Sequence, residues 1–258
     1  LTIAESLYFV YAGMDSRNMG LMSVTMNEGL IDETYLPERE VKAISVRGRS
    51  KPYFQEVTYR PRQIPLKFAF ERGWTDKSIQ DVARWLCQDY YKPLYFSSHP
   101  ERIYYAMYKD SPKLLHNGLN QGYIDIVFEN IDAYCYSPVY EHIYDLSENT
   151  ALGANIVIAN LGDAICQPIY DIQIVSGTDF SITNDSNGGV TLAFTGLQVN
   201  ETLHIDCETG EISTDIPLTY RYGNLVGGSK WTKLVYGSNR LNVKGNIKLK
   251  MQLQYKML

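Results

Sequence analysis

Apolar and polar residues alternate in short runs along most of this chain, and helical spacing stands out once. Leu7 to Val10 reads as a strand, Gly13 to Ser16 as a turn and Leu21 to Met26 as a second strand. Lys42 to Arg47 and Phe54 to Tyr59 form two further strand-like pieces around Gly48, Arg49, Ser50, Lys51 and Pro52. This hairpin is polar and basic, with little apolar alternation to bury. A hairpin of that kind is stable only against something else, which makes it a candidate projecting arm. Ser78 to Gln88 carries the helical pattern, with Ile79, Val82, Ala83 and Leu86 on one face, Thr75, Asp76 or Ser78 available as N-cap and Pro93 beyond its end. Strands follow at Leu94 to Ser97, Ile103 to Lys109 and Tyr123 to Asn130. The simplest packing is a barrel-like sheet carrying one helix.

A boundary falls between Ser137 and Asn149, where Pro138 precedes a turn-rich stretch. The chain therefore divides into residues 1–140 and 141–258, as expected for 258 residues. In the second part, strands are read at Asn155 to Asn160, Tyr170 to Val175, Phe180 to Thr183, Val190 to Phe194, Glu201 to Asp206, Thr232 to Tyr236 and Asn246 to Tyr255. The clearest turn between them is Asn184 to Gly189. Short strands, Gly- and Asn-rich turns and no convincing helix indicate an antiparallel sandwich. The fold class is thus mainly β in both parts.

Composition changes the picture little, but charge order does. With 45% hydrophobic and 21% charged residues the chain is an ordinary globular one. No apolar run is long enough to span a bilayer, and Leu1 to Val10 lacks a basic leader, so neither signal nor membrane anchor is expected. Leu114 to Tyr220 holds 15 acids and no Lys or Arg, whereas Arg221 to Leu258 holds eight cations and no acid. Arg39 to Lys67 is also basic, with eight cations against Glu40 and Glu56. Either complementary surfaces meet within or between subunits, or the strands interleave and the charges average out. Cys87, Cys135, Cys166 and Cys207 lack metal-ligand spacing and read as buried free thiols, in keeping with folding in a reducing cytoplasm.

No catalytic set assembles. His99, His116, His142 and His204 are isolated, and no metalloprotease, nucleophile-elbow or P-loop signature occurs. Asn184 to Gly188 superficially resembles a calcium loop but lacks the later bidentate Glu, so it reads as a turn. Neither cofactor nor metal is expected. The 21 tyrosines suit core and sheet packing, a protein interface or sugar stacking. Nucleic-acid recognition is disfavoured, because the basic stretch carries aromatics only at Tyr53, Phe54 and Tyr59 and the chain as a whole is acidic.

The order of segments resembles a known family, the distal tail proteins of siphophages. The resemblance rests on Leu7-Tyr8-Phe9 before Gly13, on Ile44-Ser45-Val46-Arg47-Gly48-Arg49, on Trp85-Leu86 in the helix, and on Pro93-Leu94-Tyr95-Phe96 with Arg102 to Ala106. It continues through Tyr123 to Phe128 with Cys135, Tyr136 and Pro138, then Leu203 to Gly210 and Leu234 to Leu241, where Tyr236 stands in place of a common Pro. The resemblance implies an N-terminal split barrel with one helix that forms a hexameric ring, an arm hairpin gripping the next subunit, and a galectin-like C-terminal sandwich. Lys42, Arg47, Arg49, Lys51 and Tyr53 are then the candidate subunit-interface residues. It also implies a non-enzymatic component of a virion tail tip, made in the host cytoplasm, whose partners are its own copies, the tail tube, and hub or receptor-binding proteins. A carbohydrate-binding module or a tail-associated glycan hydrolase is the alternative.

Overall fold

The computed structural model describes residues 6–25 and 36–258, so the expectations for Leu1 to Glu5 and for Met26 onward to residue 35 lie outside the described residues. The chain divides into two compact units, Leu1–Tyr136 with Leu258, and Ser137–Met257. The fold is mainly β, with one α-helix among the described residues.

Unit 1 contains β1 (Phe9–Tyr11), β2 (Met14–Asp15), β3 (Leu21–Ser23), β4 (Arg39–Ile44), β5 (Tyr53–Tyr59), β6 (Gln63–Phe70), α1 (Asp76–Leu86), β7 (Lys92–Phe96), β8 (His99–Tyr108), β9 (Lys113–His116), β10 (Gly122–Asn130) and β11 (Cys135–Tyr136). The main sheet is antiparallel in the order β2-β1-β7-β8-β10-β6-β3, with β9 added alongside β10. It curls on itself. Phe9 on β1 meets Phe68 on β6 at 5.5 Å between ring centres, and Tyr11 meets Phe128 on β10 at 4.9 Å. Ser23 N–H donates to Leu7 O at 2.8 Å, tying the far edge strand to the chain just before β1. A sheet so closed leaves little free edge.

Helix α1 starts at Thr75, whose hydroxyl accepts from Ser78 N–H while Ser78 Oγ accepts from Thr75 N–H, a reciprocal cap. Its buried face of Val82, Trp85 and Leu86 packs on the sheet. Trp85 stacks on Phe9 at 5.6 Å and donates its indole N–H to Tyr11 O at 2.8 Å. Strands β6 and β9 have no counterpart in the sequence reading. Ile64, Leu66 and Phe68 alternate into the core along β6, but Pro65 and Lys67 interrupt the pattern. Among the described residues β3 pairs with β6 only from Phe68 to Phe70.

Unit 2 contains β12 (Tyr140–Leu146), β13 (Ala154–Asn160), β14 (Ile169–Asn184), β15 (Val190–Phe194), β16 (Thr202–Asp206), β17 (Ile212–Thr214), β18 (Gly237–Leu253) and β19 (Lys256–Met257). Strands β14 and β18 pair along most of their length and bend together, with a register shift between Ser176 and Ser181. The bend sits at Gly177 and Gly245, both at positive φ. A Cβ on Gly245 would lie 2.7 Å from Asp179 O and 2.9 Å from Phe180 Cβ, so glycine is required there. On one side of the bend β12, β16 and β17 extend the sheet, and on the other β13 and β15 do. Ile172, Leu203, Leu249 and Met251 from the first half join Ile156, Ile182, Phe194 and Leu241 from the second in one core. The sandwich is therefore a single sheet folded across two shared strands.

Three strand expectations change. Tyr170 to Val175 and Phe180 to Thr183 are one bent strand, and the predicted boundary region contains β12, whose outward Ile143 disguises its edge-strand pattern. Thr232 to Tyr236 is irregular, bridged to the sheet only at Leu234. Buried Asn184 and Asn239 satisfy its backbone instead: Asn239 exchanges hydrogen bonds with Val235, and Asn184 donates to Lys233 O.

Candidate assembly surface

Strands β4 and β5 form a separate two-stranded sheet that pairs with no other strand among the described residues. Pairing begins at Arg39 opposite Tyr59, three residues earlier than the alternation predicts, and a bulge between Lys42 and Ala43 absorbs Gln55. At the tip, Arg49 N–H donates to Val46 O at 3.1 Å, and Gly48 adopts φ +87° inside that turn.

The structure places the five candidate residues on this hairpin, all exposed. Lys42 is spent internally: its ammonium lies 2.7 Å from Glu56, which holds it above its ordinary pKa. Arg60 at the base pairs with Glu38 at 3.0 Å and with Glu40 at 3.6 Å. Arg49 lies over the Tyr53 ring, 4.1 Å from its centre, and donates to the Tyr53 hydroxyl. Arg47 and Lys51 at the tip have no ion pair among the described residues.

The charge is thus less distinctive than the face beneath it. Cross-strand partners share a face, so Val41 with Val57, Ala43 with Phe54, and Tyr59 beside Arg39 line one side, while Glu40, Lys42, Glu56 and Thr58 line the other, with Ile44 and Tyr53 at its tip end. Val41, Phe54 and Tyr59 are exposed, Phe54 at 65%. The expectation of a hairpin with little apolar pattern is corrected: the pattern is present but broken in sequence by the bulge. Sequence reasoning missed Val41, Val57, Phe54 and Tyr59, although the period-two spacing of Val41 with Ala43 and Val57 with Tyr59 was there to be read.

The charge blocks of unit 2 meet within it. Glu141 pairs with Lys250 at 2.8 Å across β12 and β18, Glu208 with Lys256 at 2.5 Å, and Glu201 with Arg221 at 2.6 Å. Interleaving strands account for the segregated sequence, and much of the acidic block is occupied by its own chain. None of the four cysteines is in a disulfide; Cys135, Cys166 and Cys207 are buried as expected, but Cys87 is exposed, within 3.5 Å of the Tyr108 hydroxyl.

Among the described residues, two open depressions could hold a small molecule. One, of about 750 Å³, is floored by Met14, Met19, Trp85 and Pro93, and its one carboxylate, Asp81, is paired with Arg84 at 3.2 Å. The other, of about 400 Å³, holds Asp145 and Glu148. Hydrogen bonds from Ser147 hold the Asp145 carboxyl below its usual range, the opposite of what a general acid for glycoside cleavage needs. No cluster of three His, Cys, Asp or Glu that could hold a metal occurs among the described residues. No helix among them is long and apolar enough to cross a membrane, which says nothing of a β-barrel.

Residues 4–132 match the family model of a phage tail protein N-terminal domain, and residues 161–257 match that of a siphovirus-type tail component, C-terminal domain. The chain belongs to the siphophage distal tail protein family. It is 28% identical over 256 residues to the SPbeta prophage-derived uncharacterized protein YomH of Bacillus subtilis strain 168, covering 99% of this chain and all of that one. The crystal structure of SPP1 Dit, titled a paradigm of the hub adsorption apparatus in Gram-positive infecting phages, superposes with a TM-score of 0.72 at 16% identity, over 97% of this chain and 99% of that one. A chain of the phage P2 baseplate in its activated, calcium-bound conformation gives 0.54 at 9% identity, over 96% and 97%. At these identities the structural likenesses speak for a shared distal tail protein fold. As a family member the chain is a structural component of a phage tail.

Proposed function

We propose that this distal tail protein is a non-catalytic hub of the tail tip. Unit 1 closes into a hexameric ring at the end of the tail tube, the β4–β5 arm reaches onto the next copy, and unit 2 binds baseplate or receptor-binding proteins. The observation that carries this reading is the amphipathic arm: a two-stranded sheet that pairs with no other strand among the described residues and keeps Val41 and Phe54 exposed, while Tyr59 at its base lies 5.9 Å from the Tyr134 ring. An isolated hairpin is at best marginally stable in water, so an apolar face held in solvent by charge pairing on its reverse is suited to a neighbour. A contact in which each copy offers both an arm and a receiving surface propagates head to tail and closes when the rotation permits. Val41, Phe54 and Tyr59 supply the contact area; Arg47, Arg49 and Lys51 at the tip set register, since exposed charges add little energy.

Buried Cys166 and Cys207, neither of them in a disulfide, suit folding in the reducing host cytoplasm before incorporation into the virion. The test is the oligomeric state of the full-length chain, by light scattering at high concentration, and the structure of assembled tails. Replacing Val41 and Phe54 together by Ser should leave the melting temperature unchanged and abolish ring formation, whereas Arg47→Glu with Arg49→Glu should weaken it in a salt-dependent way. A chain that stays monomeric even inside assembled tails would overturn the ring.

A further inference from the structure

We propose that Asn187, in the turn between β14 and β15, is a site of spontaneous covalent modification: the Gly188 nitrogen attacks its side-chain amide, and the residue converts to isoaspartate and aspartate. Two asparagines of this chain precede a glycine, Asn117 and Asn187. Asparagine is a chemically labile residue, and a glycine after it favours the reaction, because without a Cβ the attacking nitrogen is open and the backbone free to turn. By sequence the two sites are equal. The structure separates them.

Asn117 is fastened. Its Oδ1 accepts from Leu119 N–H at 2.9 Å and from Gln121 N–H at 3.2 Å, while its Nδ2 donates to Gln121 Oε1 at 3.2 Å. Its own N–H donates to Gln121 O at 2.9 Å, which closes the turn. Swinging Cγ onto the Gly118 nitrogen would break the three side-chain hydrogen bonds together. Asn187 makes one side-chain hydrogen bond among the described residues, from Nδ2 to Lys233 O at 3.4 Å, at the weak end of the range. It ends a short 3-10 turn, Asp185–Asn187, and Gly188 and Gly189 follow, both exposed and at φ 65° and 70°. The loop is tied at its root, where Gly189 N–H donates to Asn184 O at 3.0 Å. A Cβ on either glycine would meet nothing within 4 Å, so no packing opposes movement of the peptide between Asn187 and Gly188. The amide that must rotate is loosely held, and the nitrogen that must approach it is unhindered.

The chemistry needs only water. Gly188 N gives up its proton to solvent and bonds to Asn187 Cγ, the Cγ–Nδ2 bond breaks, and ammonia leaves with a proton returned from water. The product is a cyclic imide. Water then opens it at one of two carbonyls: cleavage of the bond from nitrogen to Cγ gives aspartate, and cleavage of the bond to the main-chain carbonyl carbon gives isoaspartate. Nothing is oxidised or reduced. Either product puts a carboxylate where Nδ2 had donated to Lys233 O, and isoaspartate also adds one carbon to the main chain inside the turn. Lys233 belongs to the irregular Thr232 to Tyr236 segment, whose backbone relies on side-chain amides, so modification loosens that segment while the buried Asn184 and Asn239 remain.

The test incubates the full-length protein in mildly alkaline buffer and follows both asparagines by peptide mass spectrometry, which reads the exchange of ammonia for water as a gain of one dalton. Chromatography separates the two products. Asn187 should convert at least tenfold faster than Asn117, with isoaspartate in excess. In urea the folded contacts are gone and the two rates should converge. Gly188→Ala should slow conversion at Asn187 at least tenfold and leave Asn117 unchanged; should that variant not fold, the comparison of the two sites in the unmodified sequence decides alone. No conversion at Asn187 in the folded protein, a rate at Asn117 equal or greater, or conversion undiminished in folded Gly188→Ala would each overturn the proposal. A gap between the sites that persists in urea would place its cause in the neighbouring sequence and overturn the structural account.

Discussion

Two pairs of antiparallel strands in this molecule use the same chemistry to opposite ends. In β14–β18 the inward residues are buried in a common core, and outward Lys250 of β18 pairs with Glu141 on the neighbouring strand β12. In β4–β5 one face is laced in the same manner, Lys42 to Glu56, but on the other Val41 and Phe54 meet solvent. Cross-strand pairing and alternation decide that a hairpin forms. They do not decide whether its apolar side is core or interface; that depends on whether the rest of the chain supplies a second layer.

The largest expected effect falls on unit 2. Arg221→Ala leaves the enclosed Glu201 carboxylate without its partner and should cost about 3–5 kcal/mol in urea denaturation, with unit 1 unaffected. An equal loss in both units would show that they do not fold separately. Next, Gly245→Ala sets a Cβ against Asp179 O at positive φ and should destabilise unit 2 by about 1–3 kcal/mol, whereas alanine at Gly177, where nothing lies within 4 Å, should cost less. Acid titration sharpens the contrast further. Burial alone would push the Glu201 carboxyl up, but hydrogen bonds from Arg221, Gln198 N–H and Thr214 outweigh it and hold the group below its ordinary value. Its stabilisation is then complete above the unfolded carboxylate pKa of about 4.3 and is lost as pH falls through the lower folded value. The melting temperature of unit 2 should drop over that window, and Glu201→Gln should flatten the drop. The smallest effect belongs to the arm: Glu56→Gln should leave the melting temperature unchanged, since the Lys42 pair is exposed, and any measurable loss would place the arm in the fold rather than outside it.

Much of this architecture was legible because local chemistry and tertiary role agree. The cap at Thr75 and the spacing of Val82 and Leu86 mark α1 whatever it packs on. The family resemblance, carried by segments from Leu7 to Leu241, is upheld by the family models. What escaped reading was set by context. Strand β6 was hidden by Pro65, which reads locally as a strand breaker, and β12 by Ile143 on the wrong face for a half-buried strand. The bend that joins the strands of β14 is a property of Gly177 and Gly245 acting across a pair 68 residues apart, from 177 to 245, which no local window contains. The hairpin was legible as two paired strands but was read through its charges, because the bulge at Gln55 moves the apolar positions out of step.

The shared strands of the sandwich also bear on how unit 2 can come apart. Since β14 and β18 run through both layers, peeling one layer away would sever the same two backbones that template the other. Amide protons of Ile172 and Ile182, on opposite sides of the bend, should therefore exchange with deuterium at one common opening free energy, as a single foldon with no half-open state.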